Sequence, residues 1–242
     1  MAQQQLNPIT SGSYRWSDIP VTKNADREGR RFIEGSTPQF AYFEIHASTQ
    51  YKGAEPRPPH TQTDIEELIY VKEGTMKFTM GTSSKVIQKG GIILIPPHTA
   101  QALQNIGDGP LTYYVIMFRS VQPMDMERSA KAGGPLLLNA DSLKYVANNR
   151  GGIIKYIDRP TAMLSNLEAH ITELKSKGPS HAPHIHPDTE LIVVLEGETE
   201  ITIKDEINKA VAGDICLING NEMHGISNSQ NTVCRYLIIR LK

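Results

Sequence analysis

Four side chains that commonly bind transition metals lie in two short segments of the second half of the chain. One residue separates His184 from His186, Glu190 follows four positions later, and His224 comes about one β-hairpin further on. In an extended strand, residues i and i+2 point to the same face, so the two histidines project together. Three imidazoles and one carboxylate suit Mn, Fe, Co, Ni, Cu or Zn better than Ca or Mg. The spacing therefore predicts a site for one divalent transition metal.

The residues around these side chains predict the strands that hold them. Residues 187–189 form a short turn, after which Glu190 precedes a β-branched, apolar run at 191–195. Such a run is typical of a buried strand, and residues 196–197 mark the next turn. Ligands on stiff strands, with a coordination position left open, are suited to metal-dependent catalysis. We therefore assign Glu190 a catalytic role in addition to its role as a metal ligand.

The two segments resemble the motifs of the cupin family. Residues 178–197 match the first motif, G-x5-H-x-H-x3/4-E-x6-G, at every fixed position. Residues 213–228 match the glycine, histidine and final asparagine of the second motif, G-x5-P-x-G-x2-H-x3-N. Asn219 and Asn221 stand where Pro and Gly are usual, in a turn where Asn tolerates left-handed backbone angles. The resemblance implies that His224 is the fourth metal ligand.

The chain also repeats itself, and the repeat predicts two domains. The segment 67–74 recurs as 190–197, and the segment 90–105 recurs as 213–228. This pattern resembles a bicupin, which implies an all-β fold of two tandem jelly-roll (double-stranded β-helix) barrels. The expected boundaries are a flexible N-terminus at 1–11, an N-terminal barrel at 12–120, a linker at 121–133 and a C-terminal barrel at 134–242.

Short apolar runs between turn residues give the expected strands of both copies. In the first copy they lie near 40–49, 67–72, 75–80, 85–88, 92–95, 100–106 and 111–119. In the second copy they lie near 164–174, 190–195, 198–203, 208–211, 215–218, 224–228 and 232–241. The linker is expected to be a helical turn or irregular chain. Glu44 with His46, and Glu168 with His170, are expected to line a cavity or form a salt link on an outer or inter-domain surface.

The two copies differ at the positions of the metal ligands. Alignment on the first motif places His60, Gln62 and Glu67 in the first copy, and Gln101 stands where His224 stands in the second. Glutamine is neutral and a poorer ligand for a late first-row metal. Three alternatives stay open: a second, degenerate metal site, a polar cavity that has lost its ion, and a metal-free substrate pocket. We expect the N-terminal barrel to hold no metal.

Composition limits the partners of this protein. The 242 residues include 25 Lys plus Arg and 26 Asp plus Glu, for a net charge of −1, with no basic tail or stripe. We therefore expect a small-molecule ligand or substrate and no nucleic acid or membrane partner. We expect a monomer or homodimer, located in the cytoplasm, or in the periplasm or outside the cell if a signal peptide was removed. Cys216 and Cys234 are expected to be free thiols, with a disulfide as the alternative.

The resemblance implies several functions, because bicupins include quercetinase-like dioxygenases, oxalate decarboxylases and ureidoglycine aminohydrolases. Oxalate decarboxylases usually carry the full ligand set in both barrels, and the aminohydrolases carry a Glu, His, His, Gln set in the C-terminal barrel. This chain has neither pattern. We expect a metal-dependent enzyme on a small organic substrate, with a dioxygenase preferred and the chemistry in the C-terminal barrel. The alternatives are a non-catalytic sugar- or acid-binding protein and a metal-supported isomerase or lyase of a sugar acid.

Overall fold

The computed structural model describes residues 6–242, in which the chain forms mainly β-strands. In the first half these are β1 Gly12–Tyr14, β2 Val21–Lys23, β3 Arg27–Gly35, β4 Phe40–Gln50, β5 His60–Thr61, β6 Glu66–Glu73, β7 Thr75–Met80, β8 Ser83–Gln88, β9 Ile92–Ile95, β10 Ala100–Asn105 and β11 Leu111–Ser120. The helix α1 Met126–Lys131 follows. The second half contains β12 Leu136–Leu138, β13 Tyr145–Ala147, β14 Gly151–Arg159, β15 Leu167–Leu174, β16 Gly178–Pro179, β17 Thr189–Glu196, β18 Glu198–Ile203, β19 Glu206–Val211, β20 Ile215–Ile218, β21 His224–Asn228 and β22 Cys234–Leu241.

These strands form two compact units with the same architecture. In the first unit a seven-stranded sheet has the order β12-β9-β6-β11-β4-β3-β2, and a four-stranded sheet has the order β5-β10-β7-β8. In the second unit the corresponding orders are β1-β20-β17-β22-β15-β14-β13 and β16-β21-β18-β19. Neighbouring strands in all four sheets are antiparallel. The expected all-β fold with two jelly-roll barrels is confirmed.

The limits of the units differ from the expected boundaries at both lead-in segments. Among the described residues, the first unit comprises 6–9, Pro20–Ser142 and Thr161–Met163, and the remaining segments form the second unit. The short strand β1 pairs with β20, and β12 pairs with β9. Each larger sheet is thus completed by a strand that precedes the other repeat in the sequence. The physical reason is that an edge strand offers unpaired backbone groups, which a short passing segment satisfies.

Two further segments, the expected flexible N-terminus and the expected linker, are ordered where the structure describes them. Residues 1–5 of the expected flexible N-terminus lie outside the described residues, but the residues after them are held in place. The N–H of Ile9 donates to the carbonyl of Ser36 at 2.8 Å, and the N–H of Ser36 donates to Asn7 at 3.0 Å. Of the two alternatives for the linker, the structure shows the helical one: the linker contains α1, whose N-terminus is capped by the carboxylate of Asp125. The linker therefore belongs to the first unit as an ordered helical turn.

Alternation along the strands separates the barrel interior from its outside. In β17, Glu190 shares a face with Ile192 and Val194, which belong to the apolar core of the second unit. In β6, Glu67 shares a face with Ile69 and Val71 in the core of the first unit. Each candidate carboxylate thus points into its own barrel, at the polar end of an apolar interior.

The final glycine of the first motif has a structural reason. Gly197 has a φ of +73°, and a Cβ at this position would lie 2.5 Å from the carbonyl oxygen of Val233. Gly74, its counterpart in the first unit, has a φ of +87° and the same close approach to Pro110. Only glycine combines a left-handed conformation with so little room, so both positions require it.

The described residues include two free cysteines and no helix that could span a membrane. Cys216 and Cys234 are both buried free thiols, on β20 and β22, which β17 separates in the sheet. Among residues 6–242, no helix is long and apolar enough to cross a membrane.

Candidate functional site

The second unit brings together the four residues that the sequence singles out. Glu190 lies on β17 and His224 begins β21. His184 pairs with His224 through two reciprocal backbone hydrogen bonds of 2.9 Å. One potential ligand atom from each of His184, His186, Glu190 and His224 lies within 4.8 Å of the others. This cluster could therefore hold a metal ion.

Backbone carbonyls fix the orientation of two of the imidazoles. Nδ1 of His186 lies 3.2 Å from the carbonyl oxygen of Asp188, and Nδ1 of His224 lies 2.8 Å from that of Glu222. A carbonyl only accepts, so each Nδ1–H donates and each Nε2 is left for the site. These Nε2 atoms lie 3.2 Å and 3.8 Å from Oε2 of Glu190. A hydrogen bond from Nδ1 to a backbone carbonyl, with Nε2 facing the site, is the arrangement that orients histidine ligands in metal sites.

The electrostatics of the cluster fit a bound cation. Burial raises the pKa of Glu190, but the neighbouring imidazoles of His186 and His224 outweigh this effect and lower the pKa to about 2. Burial lowers the pKa of His184, and so do the neighbouring His224 and His181. Nδ1 of His184 and Nε2 of His224 are buried without a hydrogen-bond partner among the described residues. An ionised carboxylate beside unpartnered imidazole nitrogens is the donor set of a transition metal.

The turn that carries the second motif also supports the cluster. Asn221 has a φ of +65°, so it adopts the left-handed conformation expected where the motif usually has Gly. Its N–H donates to the carbonyl of His186 at 2.7 Å, which ties the two motif segments together. The amide of Asn228 donates to the carbonyls of Leu174 and Thr232. The last asparagine of the motif therefore holds the turn.

A network of charged residues behind the cluster was not predicted from the sequence. Arg240 donates to the carboxylates of Glu168 and Asp188. The carbonyl of Asp188 is the group that orients His186. Glu168 also lies 3.2 Å from Nδ1 of His170. His170 lines a cavity of the second unit, which is one of the expected placements for this pair. Arg240 is remote in sequence, and no local pattern marks it.

The cluster opens onto a cavity of about 410 Å³ inside the second unit. His184 and Glu190 stand at this cavity, together with His170, Tyr236 and Arg240. Burial lowers the pKa of His170, while the nearby carboxylates of Glu168 and Glu190 act in the opposite direction. The cavity is large enough for a small organic molecule to reach the cluster.

The first unit brings together the corresponding residues in a different state. His60, Gln62, Glu67 and Gln101 all line one cavity of about 200 Å³. Nε2 of Gln101 donates to Oε1 of Glu67 at 2.8 Å. Burial raises the pKa of Glu67, and hydrogen bonds from Gln62 and Gln101 only partly offset this effect. Amide N–H groups therefore occupy the space around the carboxylate that imidazole nitrogens occupy in the second unit.

Comparison with known proteins identifies the family. The family model described as Cupin domain matches residues 48–117 and 170–240. Oxalate decarboxylase of Lactobacillus farciminis, solved with formate, superposes with a TM-score of 0.74 at 13% identity, covering 98% of this chain and 88% of that one. AerE of Microcystis aeruginosa superposes with a TM-score of 0.71 at 14% identity, covering 93% and 97%.

A third structure adds information on metals. Oxalate decarboxylase of Bacillus subtilis, which has Mn(II) centres, superposes with a TM-score of 0.72 at 12% identity, covering 98% of this chain and 79% of that one. At these identities the likeness concerns the fold, and a search of curated proteins finds no match. The family model covers more than half of the chain, once in each unit. The chain therefore belongs to the cupin family, as a bicupin whose second barrel carries a His/Glu cluster that could hold a metal.

Proposed function

We propose that this bicupin is a metal-dependent enzyme that acts on a small organic substrate in the second unit. The observation that carries the proposal is the convergence of His184, His186, Glu190 and His224 at the edge of a cavity of about 410 Å³. A cluster with one accessible side is typical of catalytic metal sites, whereas structural sites are closed by protein ligands. Mn is one candidate metal, since a bicupin of the same fold has Mn(II) centres.

The residues around the cavity have separate roles in binding the metal, transferring a proton and holding the other side chains in place. When bound, a divalent transition metal supplies Lewis-acid or redox chemistry at an open coordination position. The Glu168 carboxylate accepts from Nδ1 of His170 and leaves Nε2 to take up or release a substrate proton. Arg240 holds Glu168 and Asp188 in place, and Glu190 serves as the anionic ligand. Within this class we prefer a dioxygenase, because one complete ligand set is enough for chemistry in a single barrel.

The metal content of natively purified protein tests the site directly. We expect about one Mn, Fe, Co, Ni, Cu or Zn ion per chain by elemental analysis. The His224→Ala variant should lose most of this metal, because it removes a buried imidazole whose Nε2 faces Glu190. The matched variant Gln101→Ala changes the equivalent position of the first unit and should keep the metal. An unchanged metal count in His224→Ala would refute the assignment of this cluster.

Turnover tests the chemistry separately from the metal. We expect the metal-loaded protein to consume dioxygen with a small phenolic or diketone substrate, measured with an oxygen electrode. The His170→Gln variant should keep its metal and lose about 10²- to 10⁴-fold in rate, the usual contribution of a positioned acid–base group. Conversion of a sugar acid without dioxygen uptake would instead favour an isomerase or lyase. Thermal stabilisation by a ligand without turnover of any panel member would favour a binding protein.

A further inference from the structure

We propose that the cavity of the first unit is a metal-free binding site for a small organic acid, with the carboxylate at its mouth and a short apolar chain inside. This site is separate from the proposed metal centre, and nothing in it depends on the chemistry of the second unit. The proposal chooses one of the three alternatives that the sequence leaves open for this barrel.

The groups around Glu67 argue for a cavity organised without an ion. Gln101 and Glu67 are 3% and 4% exposed, and the amide of Gln101 donates directly to the carboxylate. Gln62 donates to the same carboxylate. The orientation of each amide follows from its partner. A carboxylate accepts hydrogen bonds, so the amide NH2 group, which donates, faces it, and the amide oxygen, which only accepts, points away. In this arrangement both glutamines turn their donors, and not their oxygen ligands, toward the position that a metal would share with Glu67.

Two arginines make the mouth of the cavity attractive to an anion. Arg27 and Arg57 line the cavity, and Glu67 is the one acidic residue among its described lining residues. The strand register places Gly151 at the position of Arg27 in the second unit, since Arg27 pairs with Gln50 and Gly151 pairs with Leu174. The motif alignment likewise places a histidine at the position of Arg57. The second unit thus has no guanidinium at these two positions, although Arg150 and Arg240 line its cavity from other positions.

The guanidinium groups retain donors for a ligand. Arg27 is nearly buried, with its side chain 14% exposed, and uses Nε and Nη2 to bind Asp26 and the carbonyl of Glu55. Its Nη1 makes no hydrogen bond within the described part of the chain. Arg57 is exposed and forms no ion pair or hydrogen bond with a described residue. Both arginines lower the pKa of Tyr113, although burial raises it more. Free N–H groups on planar cations are well suited to a carboxylate.

The inner part of the cavity defines the rest of the ligand. Arg57 is exposed, whereas the apolar side chains that line the cavity are buried or half-buried: Ile69, Leu103, Val115 and Met117. The volume is about 200 Å³, and at about 30 Å³ per liquid water this is room for roughly six or seven non-hydrogen atoms. An acid with a short aliphatic chain fits these dimensions and this division of polarity.

Titration calorimetry of the full-length chain with butyrate tests the proposal. The His224→Ala variant, treated with a chelator, is the background, so that a metal in the second unit cannot bind the acid. We expect butyrate to bind and butyramide, its neutral analogue, to bind at least about tenfold more weakly. Arg57→Gln should weaken butyrate binding about tenfold, whereas Lys89→Gln, which removes an exposed charge outside the cavity, should not. Added salt should weaken binding, because the mouth is partly exposed.

Several results would overturn the proposal. These are no heat with butyrate, equal binding of butyramide, or equal affinities in the Arg57→Gln and Lys89→Gln variants. Stoichiometric Mn or Zn binding that His60→Ala abolishes would show a metal site instead. Each of these outcomes leaves the proposed metal centre of the second unit untouched, since that centre is tested by metal content and turnover of the parent protein.

Discussion

The Gln62→His/Gln101→His double variant is expected to bind one more divalent transition metal ion per chain than the parent protein. The substitutions place two imidazoles beside His60 and Glu67, which completes the donor set found in the second unit. The backbone is already in position, because Gln101 pairs with His60 in the same antiparallel arrangement as His224 with His184. The N–H of His98 also donates to the carbonyl of Gln62, as that of Asn221 does to His186. Elemental analysis after loading with Mn or Zn measures the gain.

The matched controls separate ligand chemistry from general effects of histidine. Gln101→His alone supplies three of the four donors and should bind metal more weakly than the double variant. Gln62→Ala/Gln101→Ala removes the amide donors without adding ligands and should gain no metal. The affinity for butyrate should also change in the double variant, because the added metal ion would lie within the same cavity. An unchanged metal count in a folded double variant would show that more than these two side chains separates the barrels.

The two barrels of the duplicated fold place the equivalent glutamate in different electrostatic environments. Both barrels keep a buried glutamate on the cavity face of an equivalent strand, Glu67 on β6 and Glu190 on β17. Imidazoles surround Glu190 and lower its pKa, whereas burial raises the pKa of Glu67 beside its amide neighbours. The same scaffold thus stabilises the ionised form of the carboxylate strongly in one cavity and disfavours it in the other. The first setting suits a cation, and in the second the N–H donors that Arg27 and Arg57 retain suit an anion.

Much of this arrangement could be predicted from the sequence, because it depends on local spacing. The predicted strands of both repeats agree with the observed ones within about three residues. The cluster of the second unit also follows from local patterns, since His184 and His186 alternate and Glu190 begins the next strand. These features need only the two-residue period of a strand and a short turn.

The features that the sequence did not predict are strands interrupted by a bulge, and short strands and side chains whose partners are distant in the sequence. The strands β3 and β14 were not predicted because each contains a bulge, at Arg31 to Ile33 and at Lys155 to Ile157, which breaks the alternation. The lead-in strands β1 and β12 have three residues each, too few for a period, and pair with the sheet of the other repeat. Arg240 reaches the site from the last strand, so only the folded sheet shows its contacts with Glu168 and Asp188.

The stability of the protein is expected to fall by about 3 kcal/mol as pH rises from 4.5 to above 7, through the ionisation of Glu66. Glu66 is fully buried on β6, on the face opposite Glu67. Its Oε2 accepts from the hydroxyl of Thr161 and the N–H of Met163, both at 2.8 Å, while Oε1 has no partner among the described residues. Burial raises its pKa from 4.5 to about 7, and these hydrogen bonds reduce the increase.

The sign of the effect follows from the two titrations. The unfolded chain releases the proton near pH 4.5, and the folded chain retains it until about pH 7. The unfolded state therefore binds fewer protons between these values, so stability decreases with rising pH and levels off above pH 7. The Glu66→Gln variant keeps an oxygen for Thr161 and Met163 but cannot ionise. It should match the parent protein near pH 4.5 and exceed its unfolding free energy by about 3 kcal/mol at pH 8.

Chemical unfolding at several pH values measures this difference, with Glu55→Gln as the control. Glu55 is exposed in the same unit and contributes its backbone carbonyl to Arg27, a contact that the substitution preserves. The parent protein and the control should therefore show parallel pH profiles, and Glu66→Gln should diverge upward from both between pH 5 and 7. Parallel profiles for all three would mean that the pKa of Glu66 is the same in the folded and unfolded states. In that case the hydrogen bonds from the 161–163 segment would fully offset the effect of burial on its pKa.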